Sequence, residues 1–267
     1  YDKPMQKTGD PVLELEGVCC RGDEGLPALE DVSFCVKAGE IVGVAGVDGN
    51  GQKELAEVIH GMRGTTAGTM RLNGHVITGK PPRVILKDGL AHIPEDRLAC
   101  GVVEEFSVEE NLALIGCDRP PFAKNGLLSR SSMEKTAEEL REQFSIKCAN
   151  IQEPLRDLSG GNQQKVVLAR EILRRPAFLI AAQPSRGLDV GATEYIQKLL
   201  IEKRSQGMGI LLISSDLDEI LAVSDRILVL YEGKIAGEAV PGVTTTVEIG
   251  LMMAGASGRR ERSGKDA

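Results

Sequence analysis

Two glycine-rich segments carry the residues that could do chemistry in this chain. The first, residues 46–53, reads GVDGNGQK and follows the apolar run 41–45. Its glycines let successive backbone N–H groups converge on an anion, and the positive end of the following helix adds to their field. A strand, a glycine loop and a helix in this order are the context of a phosphate-binding P-loop. The residues expected around a bound phosphate are Gly46, Gly49, Asn50, Gly51, Gln52, Lys53 and Glu54.

This loop differs from the P-loop consensus, G-x-x-x-x-G-K-[ST], at both working side chains. Aligning the outer glycines puts Gln52 at the lysine position and Lys53 at the hydroxyl position. The consensus lysine neutralises the outer phosphates, and the hydroxyl binds magnesium. Two interpretations of Lys53 stay open: its ammonium stands where the magnesium would, or it lies on the exposed helix face and pairs with Glu57. For the loop as a whole, the alternative is a glycine turn between strand and helix that binds nothing.

The second segment, residues 158–164, reads LSGGNQQ and precedes a helical run predicted at 165–174. Ser159 is a natural helix N-cap, and Gly160 and Gly161 expose backbone N–H groups at the helix start, which again suits a phosphate. This string is far more specific than the glycine loop. A capped helix without a ligand is the alternative.

Taken in order, the two segments resemble the P-loop and the LSGGQ signature of ATP-binding-cassette (ABC) ATPases, with one asparagine inserted before the glutamine. The resemblance covers residues 12–237 and is closest to the second, C-terminal cassette of the tandem ATP-binding proteins of bacterial sugar and nucleoside importers. It implies that Glu95 stands at the Q-loop glutamine position and Asp189 in the D-loop. It also implies a signature that completes a partner's ATP site, formed by Ser159, Gly160, Gly161, Asn162 and Gln163.

The same resemblance implies that the chain's own site is degenerate. Ala182 stands at the Walker B aspartate, Gln183 at the catalytic glutamate and Ser215 at the switch histidine. Magnesium therefore loses its protein supports, and no carboxylate orients the attacking water. The aromatic that would stack on adenine, near residues 19–21, is missing as well. We expect no intact catalytic residue, no metal ligand, weakened ATP binding and very slow or absent hydrolysis in this site.

Apolar runs rich in Val, Ile and Leu alternate with amphipathic segments, which predicts an α/β fold with a largely parallel sheet. Between residues 96 and 158 the strand runs vanish, and helices are predicted at 108–114 and 133–144. The predicted strands are 13–16, 32–36, 41–45, 69–72, 90–93, 178–182, 210–214, 227–231 and 234–237.

The resemblance implies a P-loop NTPase fold, with a RecA-like core, an antiparallel β subdomain and an ABC α-helical subdomain. We expect the core at residues 12–95 and 159–240, and the helical subdomain, with the signature at its end, at 96–158. Residues 1–11 are expected to form a linker, and 241–267 a C-terminal helix and a disordered tail. The first residue is Tyr1, which suggests a piece of a longer protein.

Composition excludes several other functions. The chain has 267 residues, 31 glycines, no tryptophan and a net charge of −7. The acidic balance argues against nucleic acid as a partner, and eight aromatic residues (three Tyr and five Phe) are too few for base-stacking platforms. The glycine loop does not give G-x-G-x-x-G, so a dinucleotide-binding oxidoreductase is set aside.

The expected function is that of an ATP-binding subunit domain in a bacterial simple-sugar or nucleoside importer. The implied cofactor is ATP, with Mg²⁺ at the partner's site and in doubt at the chain's own. The implied partners are a second cassette in the same chain or a homologous subunit, transmembrane permease subunits and, indirectly, a substrate-binding protein, at the cytoplasmic face of the inner membrane. The alternative is a non-catalytic regulatory or assembly cassette that binds no nucleotide.

Overall fold

The computed structural model describes residues 8–124 and 127–256. These divide into two compact units, the first built from residues up to Leu90, residues 177–183 and residues from Leu200 onward. The second contains Ala91–Pro176 and Pro184–Leu199.

The strands and helices of both units alternate along the chain. The strands are β1 (Pro11–Arg21), β2 (Pro27–Lys37), β3 (Ile41–Ala45), β4 (Thr65–Leu72), β5 (His75–Val76), β6 (Leu90–Ile93), β7 (Ala123–Lys124), β8 (Leu127–Leu128), β9 (Phe178–Ala182), β10 (Gly209–Ile213), β11 (Arg226–Tyr231) and β12 (Lys234–Ala239). The α-helices are α1 (Gln52–His60), α2 (Pro82–Lys87), α3 (Val108–Ala113), α4 (Arg130–Gln143), α5 (Gly160–Leu173), α6 (Val190–Ser205), α7 (Leu217–Val223) and α8 (Thr246–Met253).

A largely parallel sheet organises the first unit, with five of its strands in the order β12-β11-β3-β10-β9. Strand β3 is parallel to both of its neighbours, β10 and β11, and β12 runs antiparallel to β11. Every residue of β3, β9 and β10 is buried. Strands covered on both faces read as continuous apolar runs, which explains why these three were predicted closely.

A second, antiparallel sheet completes the first unit, in the order β2-β1-β4-β5. Its buried side chains join those of β3, β9, β10, α1 and α2 in one hydrophobic core. The core therefore holds α1, the helix that follows the glycine loop, through Leu55, Val58 and Ile59.

Helices dominate the second unit, where α3 packs against α4 and α5. The start of α3 is set by a capping box, in which the Ser107 hydroxyl accepts from the Glu110 N–H and the Glu110 carboxylate accepts from the Ser107 N–H. Within α5, Arg170 is buried and donates through Nη2 to the Gly101 carbonyl at 2.8 Å. This bond ties α5 to the segment that precedes α3.

The α/β architecture with a largely parallel sheet is confirmed, as is a C-terminal helix, α8. Two local expectations are wrong. Helix α5 begins at Gly160, five residues before the predicted run, because the two signature glycines form its first turn. The region expected to lack strands contains the short hairpin of β7 and β8, whose two-residue strands are too short to give a periodic pattern.

The domain boundaries expected from sequence stay a prediction, although the compact units group residues 159–176 and 184–199 with the helical segment. The disordered tail was predicted largely at residues 257–267, which lie outside the described residues. Among residues 8–124 and 127–256, no helix combines the length and the apolar composition needed to cross a bilayer.

One ion pair fixes the start of β3. Asp225 accepts the Ile41 N–H at 2.8 Å and two hydrogen bonds from Arg204, at 2.8 and 2.7 Å. The Arg204 side chain is 5% exposed and that of Asp225 is 23% exposed. We expect Arg204→Ala to lower the free energy of unfolding by about 2–3 kcal/mol, below the range for fully buried pairs because Asp225 keeps some contact with water.

Urea denaturation of the purified protein measures this change. Lys198→Ala is the matched control, since Lys198 pairs with Glu194 on an exposed helix face and should cost less than about 0.5 kcal/mol. Equal losses in the two variants would contradict the anchoring role of Arg204.

Candidate nucleotide site

The glycine loop leaves the end of β3 and enters α1 through a backbone that only glycine adopts easily. Gly49 and Gly51 have φ angles of 89° and 106°, in the left-handed region where a Cβ is strained. At Gly51 a Cβ would also stand 2.7 Å from the Ala28 carbonyl oxygen. The strand, loop and helix order predicted for residues 41–60 is confirmed.

Gln52 folds its side-chain amide back into the loop. Its Oε1 accepts the Asn50 N–H at 3.1 Å, and its Nε2 donates to the Val47 carbonyl at 3.0 Å. The amide lies so close to Gly46 that a Cβ there would stand 2.5 Å from Nε2. A lysine at this position can donate but cannot accept. The Asn50 N–H also lies 3.2 Å from the Val47 carbonyl oxygen, so Gln52 adds a second acceptor to an N–H that points into the loop and fills the space beside Gly46.

Asn50 ties the same loop to the turn between β11 and β12. Its Oδ1 accepts the Glu232 N–H at 2.7 Å and its carbonyl accepts the Gly233 N–H at 3.0 Å. Its Nδ2 donates to the Val47 carbonyl at 2.8 Å. Both polar ends of the Asn50 side chain are thus engaged within the protein.

Lys53 lies on the exposed side of α1. Its Nζ is 3.2 Å from an Asp23 oxygen and 3.8 Å from a Glu57 oxygen, so it makes the local pairing with Glu57. Arg63 contacts the same two carboxylates, at 2.6 and 2.7 Å. Hydrogen bonds from Arg63 and then Lys53 hold the pKa of the Asp23 carboxyl below its usual value.

The resulting cluster joins α1 to the loop between β1 and β2, which follows residues 19–21 at the end of β1, where the missing adenine-stacking aromatic was expected. Asp23 lies 30 residues before Lys53, and no local pattern in the sequence predicted this pairing. Glu54 occupies the first turn of α1 and is half-buried. Whether Lys53 and Glu54 contact nucleotide stays a prediction.

Gln183 and Ser215, which the resemblance placed at the positions of the catalytic glutamate and the switch histidine, are hydrogen-bonded to each other. Gln183 follows β9 with a φ of 47°, and its N–H donates to the Ile213 carbonyl at 2.7 Å. Its Oε1 accepts from Ser215 twice, from the N–H at 3.1 Å and from Oγ at 3.3 Å. Neither side chain is a carboxylate or an imidazole, so this pair has no group with the pKa of a general base.

Magnesium does not fit the residues present in this unit. Its usual ligands are hydroxyl and carboxylate oxygens. The two positions at which the resemblance predicts such ligands hold the paired ammonium of Lys53 and the methyl group of Ala182. Within the described part of the chain, no three His, Cys, Asp or Glu side chains come together as a metal site. We therefore derive no step through a metal in the chain's own site.

In the second unit, the signature forms the first turn of α5. Ser159 occupies the N-cap position but its side chain makes no capping hydrogen bond, contrary to the usual role of a serine there. Its Oγ instead accepts from Asn162 Nδ2 at 2.9 Å, and Asn162 Oδ1 accepts the Lys147 N–H at 2.9 Å. As the first residues of a helix, Gly160 and Gly161 have N–H groups without an intrahelical acceptor.

The segment with the D-loop packs against this helix start. Asp189 accepts the Ala192 N–H at 2.8 Å and so caps the start of α6. A Cβ on Gly161 would stand 2.8 Å from the Ala192 Cβ, which explains a glycine at this position. Further along, Gln164 Nε2 donates to the Pro184 carbonyl at 2.8 Å.

Glu95, predicted at the Q-loop position, forms an ion pair with Arg186, the residue that follows Ser185. The two side chains are 91 residues apart in sequence. The carboxylate is thereby neutralised within the second unit. Sequence reasoning identified Glu95 but missed its partner.

Comparison with known proteins identifies the fold and the family. The fold resembles a nucleotide-free ATP-binding cassette from an ABC transporter (TM-score 0.74, 24% identity, 91% of this chain and 95% of that one). It also resembles a dimeric cassette in a post-hydrolysis state bound to ADP and Pi (TM-score 0.73, 22% identity, 85% and 98% covered). The fold is therefore that of an ABC ATPase cassette. Residues 29–186 match the sequence model of the ABC transporter family, and the chain belongs to this family.

Two similar relatives are nucleoside import proteins. One is the guanosine import ATP-binding protein NupO of Bacillus subtilis (strain 168), 45% identical over 96% of this chain and 50% of the relative. Another is the nucleoside import ATP-binding protein NupA of Lactococcus lactis subsp. cremoris (strain MG1363), 45% identical over 95% and 50%.

A sugar import protein is also similar. The ribose import ATP-binding protein RbsA of Corynebacterium glutamicum is 39% identical over 92% of this chain and 45% of the relative. The chain spans about half the length of the curated relatives it matches.

The close approach of Gly161 to α6 gives a testable prediction. Gly161→Ala should lower the free energy of unfolding by about 1–3 kcal/mol, because its Cβ overpacks against Ala192. Gly250→Ala is the control, since a Cβ there meets no atom within 4 Å and alanine favours the helix by about 0.5–1 kcal/mol. Urea denaturation compares the two, and a Gly161→Ala protein as stable as the wild type would refute the close contact.

Proposed function

We propose that this chain is the ATP-binding domain of a bacterial importer for nucleosides or simple sugars, and that its signature completes the ATP site of a partner cassette. The observation that carries the proposal is the contrast between two phosphate-facing segments. The start of α5 has both glycines of the signature, with N–H groups that have no intrahelical acceptor, whereas the glycine loop has Gln52 and Lys53 where a P-loop has its lysine and hydroxyl. Relatives named as nucleoside and ribose import ATP-binding proteins support the importer class.

The partner cassette is proposed to lie in the same polypeptide. Support comes from the relatives, which extend over about twice the length that this chain matches. The assembled protein would work with transmembrane permease subunits and, through them, a substrate-binding protein at the cytoplasmic face of the inner membrane. The choice among nucleosides and sugars would rest with those subunits.

In the partner's site, the signature would bind the γ-phosphate of ATP. Gly160 and Gly161 offer N–H groups at the positive end of α5, which favours the charge that develops during phosphoryl transfer. Because Ser159 Oγ already accepts from Asn162, its own hydrogen remains available to donate to a phosphate oxygen. Mg²⁺ at that site would be held by the partner's residues.

The chain's own site is proposed to be non-hydrolytic. The hydrogen-bonded pair of Gln183 and Ser215 offers no base for the attacking water, and the Gln52 amide occupies the space inside the loop beside Gly46. Nucleotide binding, where it occurs, would require that amide to move aside. The P-loop glycines would then hold the phosphates through backbone N–H groups alone.

The second candidate is a cassette that binds no nucleotide and serves regulation or assembly. The hydrogen bonds inside the glycine loop favour this candidate, since the Gln52 amide already pairs with the Asn50 N–H and the Val47 carbonyl. Equilibrium nucleotide binding at the chain's own site distinguishes the two candidates.

The asymmetry between the two segments predicts different effects of two substitutions. In the full-length protein assembled with its permease, Gly160→Asp should abolish ATP hydrolysis and transport, because it adds a negative side chain where the partner's γ-phosphate would lie. Gln52→Ala should change the rates of ATP hydrolysis and transport by less than about threefold, since Gln52 only makes hydrogen bonds within the loop of a non-hydrolytic site. Equal damage from the two variants, measured as ATPase rate and substrate uptake, would refute the asymmetric model.

The Gln52 amide predicts the direction of a change in affinity. Gln52→Ala should bind nucleotide at the chain's own site at least as tightly as the wild type, because it removes the amide that fills the loop beside Gly46. Gln52→Lys should bind more tightly by roughly tenfold, which corresponds to about 1.4 kcal/mol. Titration of a fluorescent ATP analogue, with and without a chelator, tests both in a background whose partner P-loop is inactivated. A tenfold loss of affinity in Gln52→Ala would show that the amide binds nucleotide instead of competing with it.

A further inference from the structure

Arg97 begins a single π-helical turn, Arg97–Gly101, in the second unit. Asp96 caps this turn by accepting the Ala99 N–H at 2.9 Å. The Arg97 side chain passes Gly101, where a Cβ would stand 3.6 Å from Arg97 Cγ. Single π turns occur frequently at functional sites, and this one directs a guanidinium toward the signature.

The Arg97 guanidinium donates to a neutral side chain, the amide of Gln163. Arg97 Nε donates to Gln163 Oε1 at 3.2 Å, and Gln163 Nε2 donates to the Leu155 carbonyl at 3.2 Å. Gln163 is 5% exposed, so its amide is held among buried neighbours and is not free to move into solvent. The chain of hydrogen bonds from Arg97 to Leu155 therefore fixes the orientation of the guanidinium plane.

No carboxylate pairs with this cation. Among residues 8–124 and 127–256, Arg97 has no ion-pair partner, and the neighbouring Asp96 is occupied as a helix cap. Partial burial lowers the pKa of Arg97 from its usual value, although an arginine stays charged in proteins. Arg186, by contrast, is neutralised by Glu95. The charge of Asp96 acts on Arg97 but forms no ion pair with it, so this half-buried cation is electrostatically suited to receive an anion.

The free end of Arg97 lies directly beside the signature. A Cβ built on Gly160 would lie 3.0 Å from Arg97 Nη2, which is the nearest atom to that position. The guanidinium and the first N–H groups of α5 therefore border the same space. A side chain at position 160 would fill it.

We propose that Arg97 is a catalytic residue that contacts the γ-phosphate of the ATP bound by the partner cassette. This inference rests on the proposed role of the signature in the partner's site. In hydrolysis, the oxygen of water forms a bond to the γ-phosphorus while the bond to the β–γ bridging oxygen breaks, and the electron pair leaves with ADP. Arg97 donates hydrogen bonds to non-bridging γ-oxygens, where negative charge develops, and transfers no proton.

The test uses the full-length protein assembled with its permease, at saturating ATP. Arg97→Ala should lower kcat at least about 100-fold, as loss of one transition-state donor does, with KM changed less than about threefold. Arg97→Lys should retain part of the rate, because it keeps the charge but not the planar fork. Arg156→Ala is the control, since Arg156 is an exposed arginine of the same unit that pairs with Asp157.

Chemical rescue separates catalysis from structure. Millimolar guanidinium should restore Arg97→Ala activity at least about tenfold and should not rescue Gly160→Asp. Arg97→Ala activity within about threefold of the wild type, or a loss that guanidinium does not restore, would overturn the role of Arg97. If Gly160→Asp itself hydrolyses ATP normally, it is the proposed function of the signature that fails.

Discussion

Complete burial of adjacent parallel strands is the constraint on which the first unit depends. Strands β3, β9 and β10 have no exposed residue, and their registers align Val44 with Ile213 and Ile213 with Ala182. Parallel strands end at the same edge of a sheet, and ligands of open α/β sheets bind beyond their carboxyl ends. The glycine loop, Gln183 and Ser215 all follow directly from these ends. The sheet therefore brings the loop and these two side chains to the edge at which open α/β sheets bind ligands.

Neutral hydrogen bonds replace charged groups at that edge. The Gln52 amide closes the glycine loop on itself, and the Gln183 amide accepts from Ser215. A neutral amide both donates and accepts, so it satisfies backbone groups without a ligand. A lysine or a carboxylate would instead be left with an uncompensated charge.

Charge is arranged differently in the two units. In the first, Lys53 and Arg63 share the carboxylates of Asp23 and Glu57, so both cations are compensated locally. In the second, Arg97 beside the signature donates to the neutral Gln163 amide, and the charge of Asp96 acts on it without an ion pair. The two cations beside the glycine loop are thus paired with carboxylates, whereas Arg97 is not.

Local patterns in the sequence determined the buried strands and the glycine loop, because continuous apolar runs and glycine spacing act over a few residues. The family resemblance predicted Gln52, Gln183 and Ser215 as replacements. Only the tertiary structure decided what the replacements do. The pairs Lys53–Asp23, Gln183–Ser215 and Arg97–Gln163 join residues 30, 32 and 66 positions apart. Such contacts depend on how packed elements bring distant side chains together, and no periodicity in the chain encodes that.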